Sequence, residues 1–280
     1  QHARDEVLAT WKLEQVKTTL AQAVLETDFR PGITSPPHSR RRAVFSGRRT
    51  KSGTFIGFHQ RGSNDLVDLL ECPLVTPKIW AAIEGLRPLV LIGASRKAEV
   101  RLTVTDADNG IDVDVSDAKE LTPQQQSELG LIATRHGFSR ITWNGEVAVQ
   151  AEPPFQTFGR AQVIPPPGAF LQATRDGEQA LLSAVKEAVG GADRIADLFA
   201  GCGTFTLPLA EQADISAVEG EQPMVDALIQ GWRDARGLHR VEGVSRDLFR
   251  RPLLPADFKG IDAVVIDPPR AGAVAPVTAL

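Results

Sequence analysis

Tyrosine is absent from this chain, methionine occurs once, at Met224, and cysteine twice, at Cys72 and Cys202. Two cysteines so far apart give no disulfide framework and fit a reducing, cytoplasmic setting. No apolar run is long enough to cross a bilayer, so no membrane partner is expected. The opening residues Gln1-His2-Ala3-Arg4-Asp5-Glu6 lack the basic-then-apolar pattern of a secretory leader. They also lack an initiator methionine, and Gln1 is expected to be an internal point of a longer protein. No pattern speaks to oligomeric state, and a monomer is the expectation.

A more local absence is acid. Between Phe29 and Asn64 there is no Asp or Glu, while Arg30, Arg40, Arg41, Arg42, Arg48, Arg49, Lys51 and Arg61 all fall there. The net charge of −4 excludes a uniformly basic nucleic-acid binder. A positive field confined to residues 30–61 still suits a polyanion, and RNA contacts are expected from Arg40, Arg41, Arg42, Arg48, Arg49 and Lys51. The competing reading is a solvated strand edge defended by charge.

At 280 residues the chain has room for two domains. Residues 3–26 read as an amphipathic helix, with Val7, Leu8, Trp11, Val16, Leu20 and Val24 at roughly helical spacing. A Pro- and Gly-rich breaker at 30–37 follows. Strands are predicted over 43–46 and 54–59 around a basic turn, over 100–105 and 111–115 around Asn109-Gly110, and over 141–143 and 147–149 around Asn144-Gly145. One helix intervenes, with Thr122 as N-cap, Pro123 at its first position and Gln125 completing a capping box. Residues 1–165 thus read as an α+β domain that carries the basic segment.

The character changes at Pro165-Pro166-Pro167-Gly168. A helix over 175–189, strands over 195–199, 215–218, 241–244 and 263–266, and a helix over 222–236 alternate in the rhythm of a doubly wound parallel sheet. Residues 166–280 are therefore expected to be an α/β, Rossmann-like domain, incomplete at its C-terminal side.

Two motifs carry chemistry. In Asp197-Leu198-Phe199-Ala200-Gly201-Cys202-Gly203-Thr204-Phe205-Thr206 a buried strand runs through Gly-x-Gly into a helix. Such glycines permit a tight turn and close approach of a ligand to main-chain N–H groups. About twenty residues on, Glu219 ends the next strand, where a carboxylate can accept hydrogen bonds from ribose hydroxyls. The pattern suits a nucleoside-bearing cofactor. A nicotinamide dinucleotide would want a third glycine where Thr206 stands. The acidic Asp197 instead fits a site for S-adenosylmethionine, near its methionine part. Cys202, between two glycines, reads as packing rather than as a nucleophile. The second motif, Asp267-Pro268-Pro269-Arg270-Ala271-Gly272, leaves the fourth strand at the edge where such sheets hold ligands. Amino-group methyltransferases carry an aromatic residue after Pro-Pro, and Arg270 stands in its place here.

With both motifs in hand, the chain resembles the bacterial RNA (uracil-5-)-methyltransferase family, and within it the iron–sulfur members that act on 23S ribosomal RNA. The resemblance runs through Gln1-His2-Ala3, Arg40-Arg41-Arg42-Ala43, Gly57-Phe58-His59, Glu71-Cys72-Pro73-Leu74, Phe170-Leu171-Gln172, the 197–209 run, Val218-Glu219-Gly220 and the 267–272 loop. It implies that Gln172, Phe199, Thr204, Glu219, Asp247 and Asp267 hold S-adenosylmethionine, with Thr204 standing where Asn is usual. It also implies that Gln172 and Asp267 help hold the target uracil. Cys72 would be one of four ligands of a 4Fe-4S cluster in the full-length protein, the other three being expected just before Gln1-His2. The family adds a Cys thiolate to carbon 6 of uracil, which makes carbon 5 nucleophilic, and removes the carbon-5 proton with a Glu. By the resemblance both residues are expected after Leu280, so no catalytic residue is expected in this chain. Its sheet, normally of seven strands, is expected to end at an exposed fourth one. Ribosomal RNA is the favoured partner and transfer RNA the second. The other readings are a methyltransferase for an amino group or small molecule, and a non-catalytic RNA-binding module with a vestigial cofactor fold.

Overall fold

The computed structural model describes residues 4–270, 272 and 273. Gln1-His2-Ala3 and Ala271, which carry part of the resemblance, lie outside the described residues. Helix α1 (Asp5–Gln22) fills most of the expected 3–26 segment. Its apolar residues cover no core, for Val7, Trp11 and Val16 are each more than half exposed.

A mixed sheet follows, built from β1 (Arg42–Arg49), β2 (Thr54–His59), β3 (Leu66–Asp68), β4 (Val100–Ala107), β5 (Gly110–Ser116), β6 (Phe138–Trp143) and β7 (Glu146–Gln150). Its order is β3-β2-β1-β4-β5-β6-β7. Every neighbouring pair is antiparallel except β5 and β6, which are parallel because a helix crosses between them. The helix before β4 is α2 (Pro77–Gly93), and the crossover is α3 (Pro123–His136). Both lie against the sheet, and Phe45, Ile56, Leu86, Leu102, Val113 and Ile141 are fully buried between the layers. The capping box on α3 is present, with Thr122 accepting from the Gln125 N–H and the Gln125 side chain accepting in return. Asn144 (φ 50°) and Gly145 (φ 91°) are both left-handed, the conformation that a two-residue hairpin turn demands.

The chain then forms a small ribbon of β8 (Gln156–Phe158) and β9 (Ala161–Val163). After the proline stretch come α4 (Arg175–Ala188), β10 (Arg194–Leu198), α5 (Thr206–Leu209), β11 (Asp214–Glu219), α6 (Gln222–Asp234), β12 (Val241–Ser245) and β13 (Ala263–Ile266). The four strands β10 to β13 are all parallel, in the order β12-β11-β10-β13. The chain steps outward from β10 to β12 and then returns to the far side of β10. That reversal opens a crevice at the carboxyl ends of β10 and β13, the usual ligand position in such sheets. Among the described residues β13 has no partner on its outer edge.

Buried arginines join the two sheets to the connecting segment. Arg140 of β6 makes a two-pronged pair with Asp112 of β5 (2.8 and 2.7 Å) and also donates to the Pro165 carbonyl (3.0 Å). Arg41, just before β1, is 1% exposed and forms an ion pair with Glu178 of α4. This overturns the expectation that Arg41 faces RNA. Its guanidinium is consumed inside the protein.

Candidate functional site

β10 ends in a turn whose shape is set residue by residue. Phe199 has φ 64°, a left-handed conformation that costs a bulky residue on the order of 1–3 kcal/mol. The N–H groups of Phe199 and Ala200 converge on the Val218 carbonyl at 2.9 and 3.1 Å, which offsets the strain. Gly201 follows at φ 57° and donates its N–H to Glu219 Oε2 (2.9 Å). The Glu221 N–H donates to the other oxygen (3.0 Å). Two backbone donors therefore aim the Glu219 carboxylate while leaving lone pairs for a ligand. A Cβ added to Gly201 or Gly220 would meet no protein atom within 4 Å, so the space beside both is open.

That space is a cleft of about 940 Å³, within the range of small-molecule sites. Gln172, Phe199, Thr204, Glu219, Asp247 and Asp267 all line it, although they come from the connecting segment and from four different strand ends. The Gln172 side-chain N–H donates to Asp267 Oδ2 at 3.1 Å. Asp247 Oδ1 accepts from the N–H groups of Phe249 (2.9 Å) and Arg250 (3.2 Å) and so folds the loop after β12. The Phe249 ring then lies 5.5 Å from that of Phe199, tilted by 51°. Phe170, of the Phe170-Leu171-Gln172 motif, lines the cleft too, as do Phe249, Glu221 and Arg246, which were not singled out from sequence. Phe249, two residues beyond Asp247, could have been found from that spacing. Arg246 had no such signal.

The charge of the cleft is decided by four carboxylates, those of Glu219, Glu221, Asp247 and Asp267. Of the two arginines, Arg246 is bound to the carbonyls of Arg251 (2.7 Å) and Pro252 (2.5 Å), and Arg270 is exposed at the rim. Such a wall suits a cation carried by a nucleoside better than a doubly charged pyrophosphate.

Asp197 does not line the cleft, contrary to the expectation that it sits beside the methionine part of a cofactor. It is 1% exposed behind the turn, where it accepts from the Thr206 hydroxyl (2.5 Å) and leaves Oδ1 without a partner. Burial, reinforced by the Asp267 and Glu219 charges, pushes its pKa up to about 7 against the pull of Thr206. Cys202 borders the cleft but is 1% exposed, and burial pushes its thiol up to about 12, away from the thiolate form that a nucleophile needs.

Cys72 packs in the core of the first sheet. A four-iron cluster normally takes four thiolates, and no group of three or more His, Cys, Asp or Glu gathers among the described residues.

Of the remaining basic residues expected to meet RNA, two have partners within the protein. Arg42 is half-buried and donates to the Gly168 carbonyl, while Arg48 pairs with Glu99, which also meets His59 at 2.9 Å. Arg40, Arg49 and Lys51 are exposed.

No family model matches the chain. A protein of Caulobacter vibrioides named an uncharacterized RNA methyltransferase is 38% identical over 280 residues, which takes in 98% of this chain and 68% of that one. The 23S rRNA (uracil(1939)-C(5))-methyltransferase RlmD of Shewanella woodyi is 32% identical over 253 residues, 84% of this chain and 56% of that one. The chain spans about two thirds of the length of the curated relatives it matches, 66% for the first of them. The crystal structure of Pyrococcus abyssi tRNA (uracil-54, C5)-methyltransferase in complex with S-adenosyl-L-homocysteine has the same fold, with a TM-score of 0.77 at 22% identity over 100% of this chain and 70% of that one. On the strength of relatives that match almost its whole length, the chain belongs to the RNA methyltransferase family.

Proposed function

We propose that the cleft binds S-adenosylmethionine and that this chain is the cofactor- and RNA-binding part of an enzyme that methylates carbon 5 of a uridine in RNA. The observation that carries this reading is the convergence of Gln172, Phe199, Thr204, Glu219, Asp247 and Asp267 on one cleft. Residues 1–165 would take the RNA and 166–280 the cofactor. Ribosomal RNA is favoured over transfer RNA, because the relative from Shewanella woodyi is named for a 23S rRNA uracil while the transfer-RNA enzyme shares the fold alone.

Each residue has work suited to its chemistry. Glu219, held by two backbone donors, would accept the ribose hydroxyls. Phe199 and Phe249 offer apolar faces to a purine. The acid-rich wall favours a cationic ligand. When bound, S-adenosylmethionine supplies an electrophilic methyl group on a positively charged sulfur. Gln172 and Asp267 stand together as a donor and an acceptor, the pair needed to hold a carbonyl and the N3–H of a uracil taken out of its stack. No step is assigned to Cys72 or Cys202, and none to a cluster.

Calorimetry with S-adenosylhomocysteine tests the reading. The protein should bind it, and Glu219→Ala or Asp267→Ala should weaken binding at least about tenfold, the loss of one charge-assisted hydrogen bond, while RNA binding persists. Heat from a nicotinamide dinucleotide and none from S-adenosylhomocysteine would overturn it. Labelled methyl transfer by the full-length enzyme to ribosomal against transfer RNA then decides the substrate.

A further inference from the structure

Arg41 and Arg42 are neighbours in the one segment free of acid, yet each turns its guanidinium toward a backbone carbonyl of the same short stretch of connecting chain. Arg42 Nη2 donates to the Gly168 carbonyl at 3.0 Å, and Arg41 Nε donates to the Gln172 carbonyl at 3.1 Å. Residues 168–172 lie in neither helix nor strand, so no ladder of their own fixes these carbonyls. Between the two anchors sits Phe170, 65% exposed, and at the second anchor Gln172; both line the cleft. The Gln172 side chain continues from this anchored backbone to Asp267 on the opposite wall.

The anchoring of Arg41 is itself built in. Its N–H donates to the Ala173 carbonyl (2.9 Å), its Nη1 to Gln156 Oε1 (3.4 Å), and its Nη2 pairs with Glu178. Gln156 in turn donates to the Asp106 carbonyl (3.2 Å), so the network is rooted in the first sheet. Arg42 leaves its Nε buried without a partner, so its side chain is held inward at a cost in hydrogen bonding.

We propose that Arg41 and Arg42 are positioning residues that suspend the 168–172 lip of the cleft from the first sheet and thereby set the Gln172–Asp267 pair. This rests on reading the cleft as the cofactor and uracil site. At Arg41 a planar guanidinium serves three acceptors in fixed directions, and at Arg42 it reaches the Gly168 carbonyl with one terminal nitrogen; an ammonium keeps the charge and loses both the fork and that reach.

The test compares wild type with Arg41→Lys and Arg42→Lys by two measurements on the folded proteins. In NMR spectra the Gln172 side-chain amide should give the shifted signals of a hydrogen-bonded group in wild type and averaged ones in both variants. Calorimetry should show S-adenosylhomocysteine affinity falling about tenfold, the size of a lost charge-assisted hydrogen bond. Unchanged Gln172 signals in the variants overturn the proposal even where wild type binds the ligand. Moved Gln172 signals in a protein that binds no S-adenosylhomocysteine uphold the positioning role and overturn the cofactor reading instead. Arg42 is partnered by no acid within ion-pair distance among the described residues, so Arg42→Lys carries the test if Arg41→Lys does not fold.

Discussion

At the start of β1, Arg41 and Arg42 point into the protein; at its far end, Arg49 and Lys51 stand in solvent on the hairpin that leads into β2. From composition the two ends are the same kind of segment. They differ because the partners of the first pair are remote in sequence, Glu178 lying 137 residues from Arg41 and Gly168 lying 126 from Arg42. Charge in a sequence therefore says where a field could be, and only the fold says where it has been neutralised. The lesson applies to acids too, for Glu219 and Asp197 are 22 residues apart in the same sheet, one held at the cleft and one sealed behind it.

The largest expected effect tests the buried end of β1. Arg41→Met should remove about 3–5 kcal/mol of stability, the cost of leaving a buried partner without its counter-charge. Urea unfolding measures this, and a loss under about 1 kcal/mol would place Arg41 among ordinary surface ion pairs. The next effect is at Asp197. Its folded pKa of about 7 stands above its unfolded value near 3.8. Between those values the folded state holds a proton that the unfolded chain has released. Stability from this group is thus full below about pH 4, falls as pH rises to about 7, and stays flat above that. Asp197→Asn should abolish this slope and leave the variant more stable above pH 7, by at most about 4 kcal/mol. A slope that survives in the variant assigns it to other groups.

The same contrast explains what could be read without a structure. Local signals were legible: the capping box at Thr122, the Asn144-Gly145 turn, and the motifs that end β10 and β13. The six cleft residues were recognisable through the family resemblance, and of them Glu219 and Asp267 were also legible as acids at strand ends. Helix α2 was not. Its buried stripe of Ile79, Ile83, Leu86 and Val90 is masked by apolar Trp80, Ala81 and Leu91 on its other sides, and Gly85 and Pro88 look like breakers. The proline costs that helix one hydrogen bond, which its buried face outweighs. The ribbon of β8 and β9 was too short to show a period. Least legible of all were the inward arginines, because nothing near Arg41 in the sequence announces Glu178.

The smallest effect on stability belongs to the exposed end of β1. Arg49→Ala combined with Lys51→Ala removes two solvated cations that pack against no core, so unfolding free energy should change by less than about 0.5 kcal/mol. RNA affinity is another matter. If these two side chains each neutralise a phosphate, the slope of log affinity against log salt should flatten by about 1.4 for a single-stranded target, since each released counter-ion contributes about 0.7. Fluorescence anisotropy with a ribosomal RNA fragment across a salt series measures the slope directly. An unchanged slope would mean that the exposed far end of β1 does not grip RNA, and the binding face would then have to be sought elsewhere. Arg40, exposed just before the opposite end of β1, serves as the internal comparison. Its backbone bridges Val75 and Thr174, so Arg40→Ala leaves that framework in place and tests its charge alone.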